Sequence, residues 1–120
     1  MEAPDDIRGP LRELAKHPKV VAIGETGLDR YRLPSANPGG TKEDDERYFA
    51  KQAVVFEQQL EVASGLGLNC VIHQRSAFEP TMEQMASYKG KVRGVFHCFA
   101  DGPEAARKVL ATGEIGRAHV

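Results

Sequence analysis

Three side chains that can bind a metal ion each lie at the end of a short apolar segment. Glu25 follows Val-Val-Ala-Ile-Gly at residues 20–24, and His73 and His97 end two later apolar runs. Carboxylate oxygen and imidazole nitrogen are ligands for the divalent cations that hydrolases use. Singly, Glu25 could instead bond backbone donors in a turn, and a strand-end histidine is more often held by hydrogen bonds than by a metal. Together, at matching strand ends, the three predict a metal site.

The apolar runs that carry these side chains predict a parallel β-sheet. Strands are expected at residues 20–24, 69–73 and 92–96, because short apolar runs bounded by turn residues are typical of buried strands. Helices are expected at residues 6–16, from about 42 to 64, at 79–87 and at 103–112. Strands that alternate with helices indicate βαβ units, so the predicted fold class is α/β with a parallel sheet. The carboxyl ends of such strands face one edge, where α/β proteins place their chemistry.

Three motifs add a resemblance to a known family. Residues 24–29 read GETGLD, residues 71–75 read VIHQR and residues 95–99 read VFHCF. In this order and spacing they resemble the TatD-type metal-dependent deoxyribonucleases, which are amidohydrolase-like TIM barrels. The resemblance runs from about residue 19 to about residue 113. It implies part of a (β/α)₈ barrel with about three βα units, less than half of a barrel of about 250 residues. Residues 1–113 are therefore expected to be a fragment of one hydrolase domain.

The resemblance also implies an activity and a set of ligands. The expected reaction is metal-dependent hydrolysis of phosphodiester bonds in DNA, with divalent Mg, Mn or Zn, two ions in the complete protein. Glu25 would be the carboxylate that bridges them, and His73 and His97 would also be ligands. The family's His-x-His pair on the first strand and its water-activating aspartate on a late strand are absent from this sequence. This chain is therefore expected to hold about half of a site and to be inactive by itself.

Two further residues are candidates for supporting roles. Asp29 closes the GETGLD motif and would orient a ligand, or it would form a turn through its own side chain. Arg75 would hold a substrate phosphate, or it would be a surface or carboxylate-paired arginine. Gln52 matches the family's pattern on the long helix, but packing explains it more simply.

Composition sets weaker limits. The net charge is −1, so there is no broad basic surface that would indicate nucleic-acid binding, although a bound metal would supply positive charge locally. Cys70 and Cys98 lie in apolar segments, as reduced thiols of a cytoplasmic protein would. No stretch is long and apolar enough to cross a membrane, and no membrane partner is expected.

Other interpretations stay open at this point. The barrel could hydrolyse another ester or an amide, such as an aminoacyl-tRNA ester, or the chain could be a non-catalytic α/β binding module. Residues 114–120 match, in one reading frame, the translation of a common sequencing-adapter oligonucleotide. They are predicted to be non-native; the alternative is an ordinary short strand at residues 114–116.

Overall fold

A computed structural model describes residues 6–31, 33–97, 102–111 and 115–116. Strands and helices alternate along the chain from β1 onward. The elements are α1 (Arg8–Ala15), β1 (Ala22–Thr26), a 3₁₀ turn (Pro34–Ala36), α2 (Lys42–Leu66), β2 (Asn69–Ile72), α3 (Phe78–Ala86), β3 (Gly94–Phe96), α4 (Gly102–Ala111) and β4 (Ile115–Gly116). The predicted α/β class is confirmed.

The four strands form one parallel sheet in the order β1-β2-β3-β4. Each strand pairs with the next one along the chain, so the order never reverses as it does in a doubly wound sheet. Winding in one direction with a helix between successive strands is the topology of a (β/α)₈ barrel. The three βα units predicted from the sequence are β1-α2, β2-α3 and β3-α4.

One face of the sheet carries the hydrophobic core. Cys70, Ile72 and Phe96 are buried, and they belong to the same apolar cluster as Phe56 and Leu60 of α2. Because side chains alternate along a strand, the positions between them point to the opposite face. His73 and His97 each come one residue after a core-facing strand residue and therefore point away from the helices.

Helix α2 is the longest element, and both of its ends are specified locally. Thr41 and Asp44 form a reciprocal capping box, in which each side chain accepts a hydrogen bond from the other residue's backbone N–H. Acidic residues in the first turn suit the positive end of the helix dipole. Gly67 ends the helix in the left-handed conformation. The charged segment after Thr41 is therefore a helix start, as the sequence predicted.

All three predicted strands differ from the prediction by one or two residues at a boundary, and β2 ends at Ile72, one residue earlier than predicted. β1 begins and ends two residues later than expected, so Glu25 lies within the strand and not after it. The predicted 20–24 boundary followed the apolar run, but pairing with β2 continues through the polar residues to Thr26. The Gly24–Glu25 peptide bond is cis, and the β1-β2 register shifts between Ile23 and Thr26. β3 starts at Gly94, two residues later than predicted.

At the far end of the sheet, Ile115 and Gly116 pair in parallel with Val95 and Phe96 of β3. Residues 117–120 lie outside the described residues, as does Glu114, so the assignment of residues 114–120 as non-native stays a prediction. Cys98 also lies outside the described residues. No helix within the described ranges is both long and apolar enough to cross a membrane.

Candidate metal centre

Backbone hydrogen bonds bring the predicted ligands to one edge of the sheet. The His73 N–H donates to the carbonyl of Thr26 at 2.8 Å, and the His97 N–H donates to the carbonyl of Ile72 at 2.8 Å. The parallel ladder thus continues for one residue beyond β2 and β3. Since Glu25 immediately precedes Thr26, all three candidate side chains start from the carboxyl edge of β1, β2 and β3.

Glu25 and His97 form the first pair at this edge. The Oε2 atom of Glu25 lies 3.8 Å from Nε2 of His97, and the two side chains are 52% and 32% exposed. A divalent metal binds each such donor at about 2.0–2.2 Å, so two ligands of one ion lie no more than about 4.4 Å apart. The pair therefore fits a shared cation in chemistry and in distance, and it is open to solvent.

His73 is paired with Asp29. Its Nε2 atom lies 3.9 Å from Oδ2 of Asp29, and the same oxygen accepts a hydrogen bond from Nη2 of Arg75 at 3.1 Å. The other carboxylate oxygen, Oδ1, accepts from the backbone N–H of Tyr31 at 3.0 Å. The Asp29 side chain thus forms the local turn and also lies beside a candidate ligand; its role in orienting that ligand stays a prediction. Arg75 is carboxylate-paired, which was the simpler of its two alternatives.

The environment of Asp29 favours its ionised form. Partial burial acts to raise its pKa, but the hydrogen bonds from Tyr31 and Arg75 and the nearby charges of Arg75 and His73 outweigh it. The net effect is a pKa of Asp29 below its usual value. A carboxylate held in this way beside an imidazole can accept a hydrogen bond from a ring N–H and fix the orientation of the ring.

Gln52 of α2 holds the backbone of Asp29 at both of its polar groups. The amide oxygen accepts from the Asp29 N–H at 3.2 Å, and the amide nitrogen donates to the Asp29 carbonyl at 2.9 Å. The expectation that packing alone explains Gln52 was wrong. A side-chain amide carries both a donor and an acceptor, so it can pair with the N–H and the carbonyl of one residue. Such an amide within the helix that follows the GETGLD motif was the available signal.

Gly27 allows the motif to lie against the next strand. Its φ is +115°, and a Cβ atom there would come within 2.2 Å of the His73 carbonyl oxygen. Beyond it, the Arg75 N–H donates to the Leu28 carbonyl at 3.1 Å, and the Arg30 N–H donates to the Arg75 carbonyl at 2.8 Å. Residues 26–30 therefore run alongside residues 73–75, which keeps Asp29 next to His73 and Arg75.

The described residues present two pairs of candidate groups and not one closed cluster. Within the described ranges, no three Asp, Glu, His or Cys side chains lie close enough together to hold a metal ion. The predicted set of Glu25, His73 and His97 is thus gathered at one sheet edge, with Glu25 beside His97 and His73 beside Asp29. Their assignment as ligands stays a prediction.

A parallel sheet wound in chain order, with polar side chains at its carboxyl edge, defines this protein as part of an α/β barrel of the (β/α)₈ class. Residues 1–116 match the family model described as TatD related DNase, and the chain belongs to this family.

Relatives of known name support the same placement. The chain is 36% identical over 110 residues to the 3'-5' ssDNA/RNA exonuclease TatD of Cronobacter turicensis, a match that covers 91% of this chain and 37% of that protein. It is 37% identical over 102 residues to the exonuclease of the same name from Escherichia coli K12, covering 84% of this chain and 35% of that protein. The chain thus spans a little more than a third of the length of these curated relatives.

Solved structures share the fold. The TatD homologue YjjV of Escherichia coli K12 superposes with a TM-score of 0.73 at 21% identity, over 91% of this chain and 38% of that one. A TatD family hydrolase from Entamoeba histolytica superposes with a TM-score of 0.56 at 23% identity, over the same 91% of this chain and 38% of its own. At these identities the likeness concerns the fold alone, and it supports the α/β barrel class.

Proposed function

We propose that the barrel to which these residues belong is a metal-dependent hydrolase of phosphodiester bonds, a TatD-type deoxyribonuclease. Glu25, His73 and His97 are its metal ligands in this chain. The observation that carries the proposal is the 3.8 Å approach of Glu25 to His97 at the carboxyl edge of the sheet, in a member of this family. The relatives named as exonucleases support the reaction class.

The donor set suits Mg, Mn or Zn, and the proposed complete site holds two ions. A bound divalent cation would lower the pKa of a water molecule and stabilise the charge that develops on the phosphoryl oxygens. Glu25 has two carboxylate oxygens and lies at the exposed edge of β1, so it can bridge two ions. His97 offers its Nε2 nitrogen on the same side as Glu25.

The neighbouring residues position these groups and the substrate. Asp29 orients the imidazole of His73, and Gln52 fixes the backbone from which the Asp29 side chain extends. Arg75 is 52% exposed, and its guanidinium carries five N–H donors, more than its contact with Asp29 uses. It can therefore bind a phosphate of the substrate while it stays paired with Asp29.

The relatives support the proposed substrate class. Two of them are named as exonucleases of single-stranded DNA and RNA, which supports a nucleic acid, with DNA as the proposed substrate. The position of Cys70 as a buried thiol in β2 supports the proposal of a cytoplasmic protein. The 120-residue chain by itself is not expected to cleave DNA, since it carries only part of the family's ligand set.

A chimeric barrel tests the proposal. Residues 19–97 would replace the matching segment of the Escherichia coli exonuclease, and cleavage of a labelled single-stranded DNA would be followed with Mg²⁺ or Mn²⁺. We expect activity that EDTA abolishes. The variants Glu25→Gln and His97→Asn should lose at least about a hundredfold, since even outer-shell partners of a metal ligand contribute about 10- to 100-fold.

Glu46→Gln is the matched control, because Glu46 is an exposed carboxylate on α2 that belongs to neither the Glu25–His97 nor the His73–Asp29 pair. It should keep the activity of the chimera. A folded chimera, checked by circular dichroism, that keeps full activity in Glu25→Gln would contradict the ligand assignment. Activity on an aminoacyl ester and none on DNA would change the substrate and keep the metal site.

A further inference from the structure

An open cavity of about 730 Å³ lies in the connection between β1 and α2, outside the carboxylate and histidine pairs. Its walls are Tyr31, Tyr48, Leu33 and Pro34, with Ser35 and Asn37 as polar members. The volume falls within the range of about 300–1,000 Å³ that small-molecule sites occupy. Two aromatic rings, apolar side chains and an amide suit a flat heterocycle with polar edges.

The wall of this cavity is fixed before any ligand arrives. Asp45 is buried in α2, and its Oδ1 atom accepts a hydrogen bond from the Ser35 N–H at 2.9 Å. This bond joins the 3₁₀ turn to the helix that carries Tyr48. Gly40 packs so closely on the turn that a Cβ atom would lie 1.9 Å from the Pro34 carbonyl oxygen. A preformed wall lowers the entropy cost of binding.

Tyr31 connects the cavity to the metal centre. The guanidinium carbon of Arg75 lies 4.6 Å from the centre of the Tyr31 ring, and Arg75 is also hydrogen-bonded to Asp29 beside His73. Tyr31 is nevertheless 60% exposed and lines the cavity. One side of its ring therefore packs against a cation at the candidate site, and the remaining surface is available to a second flat group.

The positions of nearby arginines indicate which charged group the flat ring in the cavity carries. Arg75 lies on Tyr31, and the guanidinium of Arg30 lies 4.1 Å from the ring centre of Phe49, the neighbour of Tyr48 in α2. Arg75 thus places a cation against one ring of the cavity wall, and Arg30 places a second cation against the ring that follows Tyr48 in sequence, in a chain whose overall charge is only −1. An occupant that combines a flat ring with a phosphate satisfies both features, and a nucleotide within a single strand has this combination.

We propose that this cavity is a base-binding subsite that stacks one nucleobase of a single-stranded nucleic acid on Tyr31 and Tyr48, with Arg75 at its phosphate. The inference rests on the proposed function, because it takes the ligand from the same substrate class. It adds a substrate-positioning element: the enzyme holds a base of the strand next to the bond that it cleaves. Stacking of this kind tolerates any base, since every base has a flat face.

The test measures binding without hydrolysis. A fluorescently labelled oligothymidylate would be titrated with the 120-residue chain in EDTA, and an abasic oligonucleotide of equal length and charge would be the first control. We expect the oligothymidylate to bind about tenfold more tightly than the abasic strand, as base stacking on aromatic side chains predicts. Fluorescence anisotropy gives both dissociation constants.

Matched variants distinguish stacking on an aromatic ring from contact with any large apolar side chain. Tyr31→Phe and Tyr48→Phe should keep the preference for the strand with bases, and Tyr31→Leu and Tyr48→Leu should remove it. Equal binding of both strands, or an unchanged preference in the leucine variants, would overturn the proposal. Should the chain not fold alone, the same variants in the chimeric barrel with EDTA give the same comparison.

The two proposals can fail independently. A protein that prefers the strand with bases but binds no divalent metal would refute the hydrolase and retain the subsite. A protein that binds metal and cleaves DNA with equal affinity for both strands would refute the subsite alone.

Discussion

The side chain of Gln52 forms hydrogen bonds with both the N–H and the carbonyl of a single residue, Asp29, across the junction of α2 and the sheet edge. Asp29 in turn lies against His73 and Arg75. The longest helix of the described chain therefore reaches the candidate metal centre through one amide, and several consequences can be measured.

Replacement of Gln52 by leucine should destabilise the protein. The substitution keeps the apolar part of the side chain but leaves the Asp29 backbone groups without their partner, which costs about 1–3 kcal/mol. Urea unfolding followed by circular dichroism measures this loss. Gln59→Leu, on the same helix, is the control and should cost less than about 1 kcal/mol. Equal effects of the two substitutions would refute a specific role for Gln52.

Gly27 should tolerate alanine far less well than Gly39 does. Both residues have positive φ, and this backbone conformation costs a residue with a Cβ atom about 1–2 kcal/mol. At Gly39 an added Cβ meets nothing within 4 Å, whereas at Gly27 it would come within 2.2 Å of the His73 carbonyl oxygen. The difference in the free energy of unfolding between Gly27→Ala and Gly39→Ala therefore reports the close approach together with the larger φ of +115° at Gly27. A difference near zero would mean that residues 26–30 do not lie against residues 73–75.

Stability should fall at high pH through Tyr88. Burial, its hydrogen bond to Glu57 at 2.6 Å and the nearby charge of Glu61 raise the pKa of Tyr88 from 10.0 to about 12. Between these two values the unfolded chain has released the phenol proton and the folded chain retains it. Each rise in pH within this window thus favours unfolding.

Tyr88→Phe removes this titration, and melting temperatures between pH 9 and pH 12 measure the effect. The melting temperature of the wild-type protein should fall further across this pH range than the melting temperature of Tyr88→Phe. Glu57→Gln, which keeps a polar partner but removes its charge, should lie between them. Parallel curves for all three proteins would show that Tyr88 does not titrate in this way.

The sequence predicted the order and type of the elements well, because each apolar run is flanked by a clear stop. The capping box at Thr41 and Gly67 at the far end set the limits of α2, and the alternation of strands and helices indicated the parallel sheet. The predicted position of β1 is two residues too early. Pairing with β2 decides where that strand ends, and the composition of residues 20–24 carries no signal of this pairing.

The candidate site was predictable in part. The positions of Glu25, His73 and His97 at strand ends follow from the apolar runs, and the sheet does bring these positions to one edge. The pairing of His73 with Asp29 depends on the tight approach at Gly27, which the sequence marks only by a glycine. The cavity at Tyr31 and Tyr48 depends on how the loop folds over α2, and loop composition alone does not specify that path.

Metal binding by the 120-residue chain tests the central claim most directly. Calorimetric titration with Mn²⁺ or Zn²⁺ should show binding by the wild-type chain and by the Glu46→Gln control. Binding should weaken by at least about tenfold in Glu25→Gln and in His97→Asn, the lower end of the effects seen for residues around a metal. A folded chain that binds neither ion, or binds them equally well in all four proteins, would contradict the assignment and favour the non-catalytic binding module.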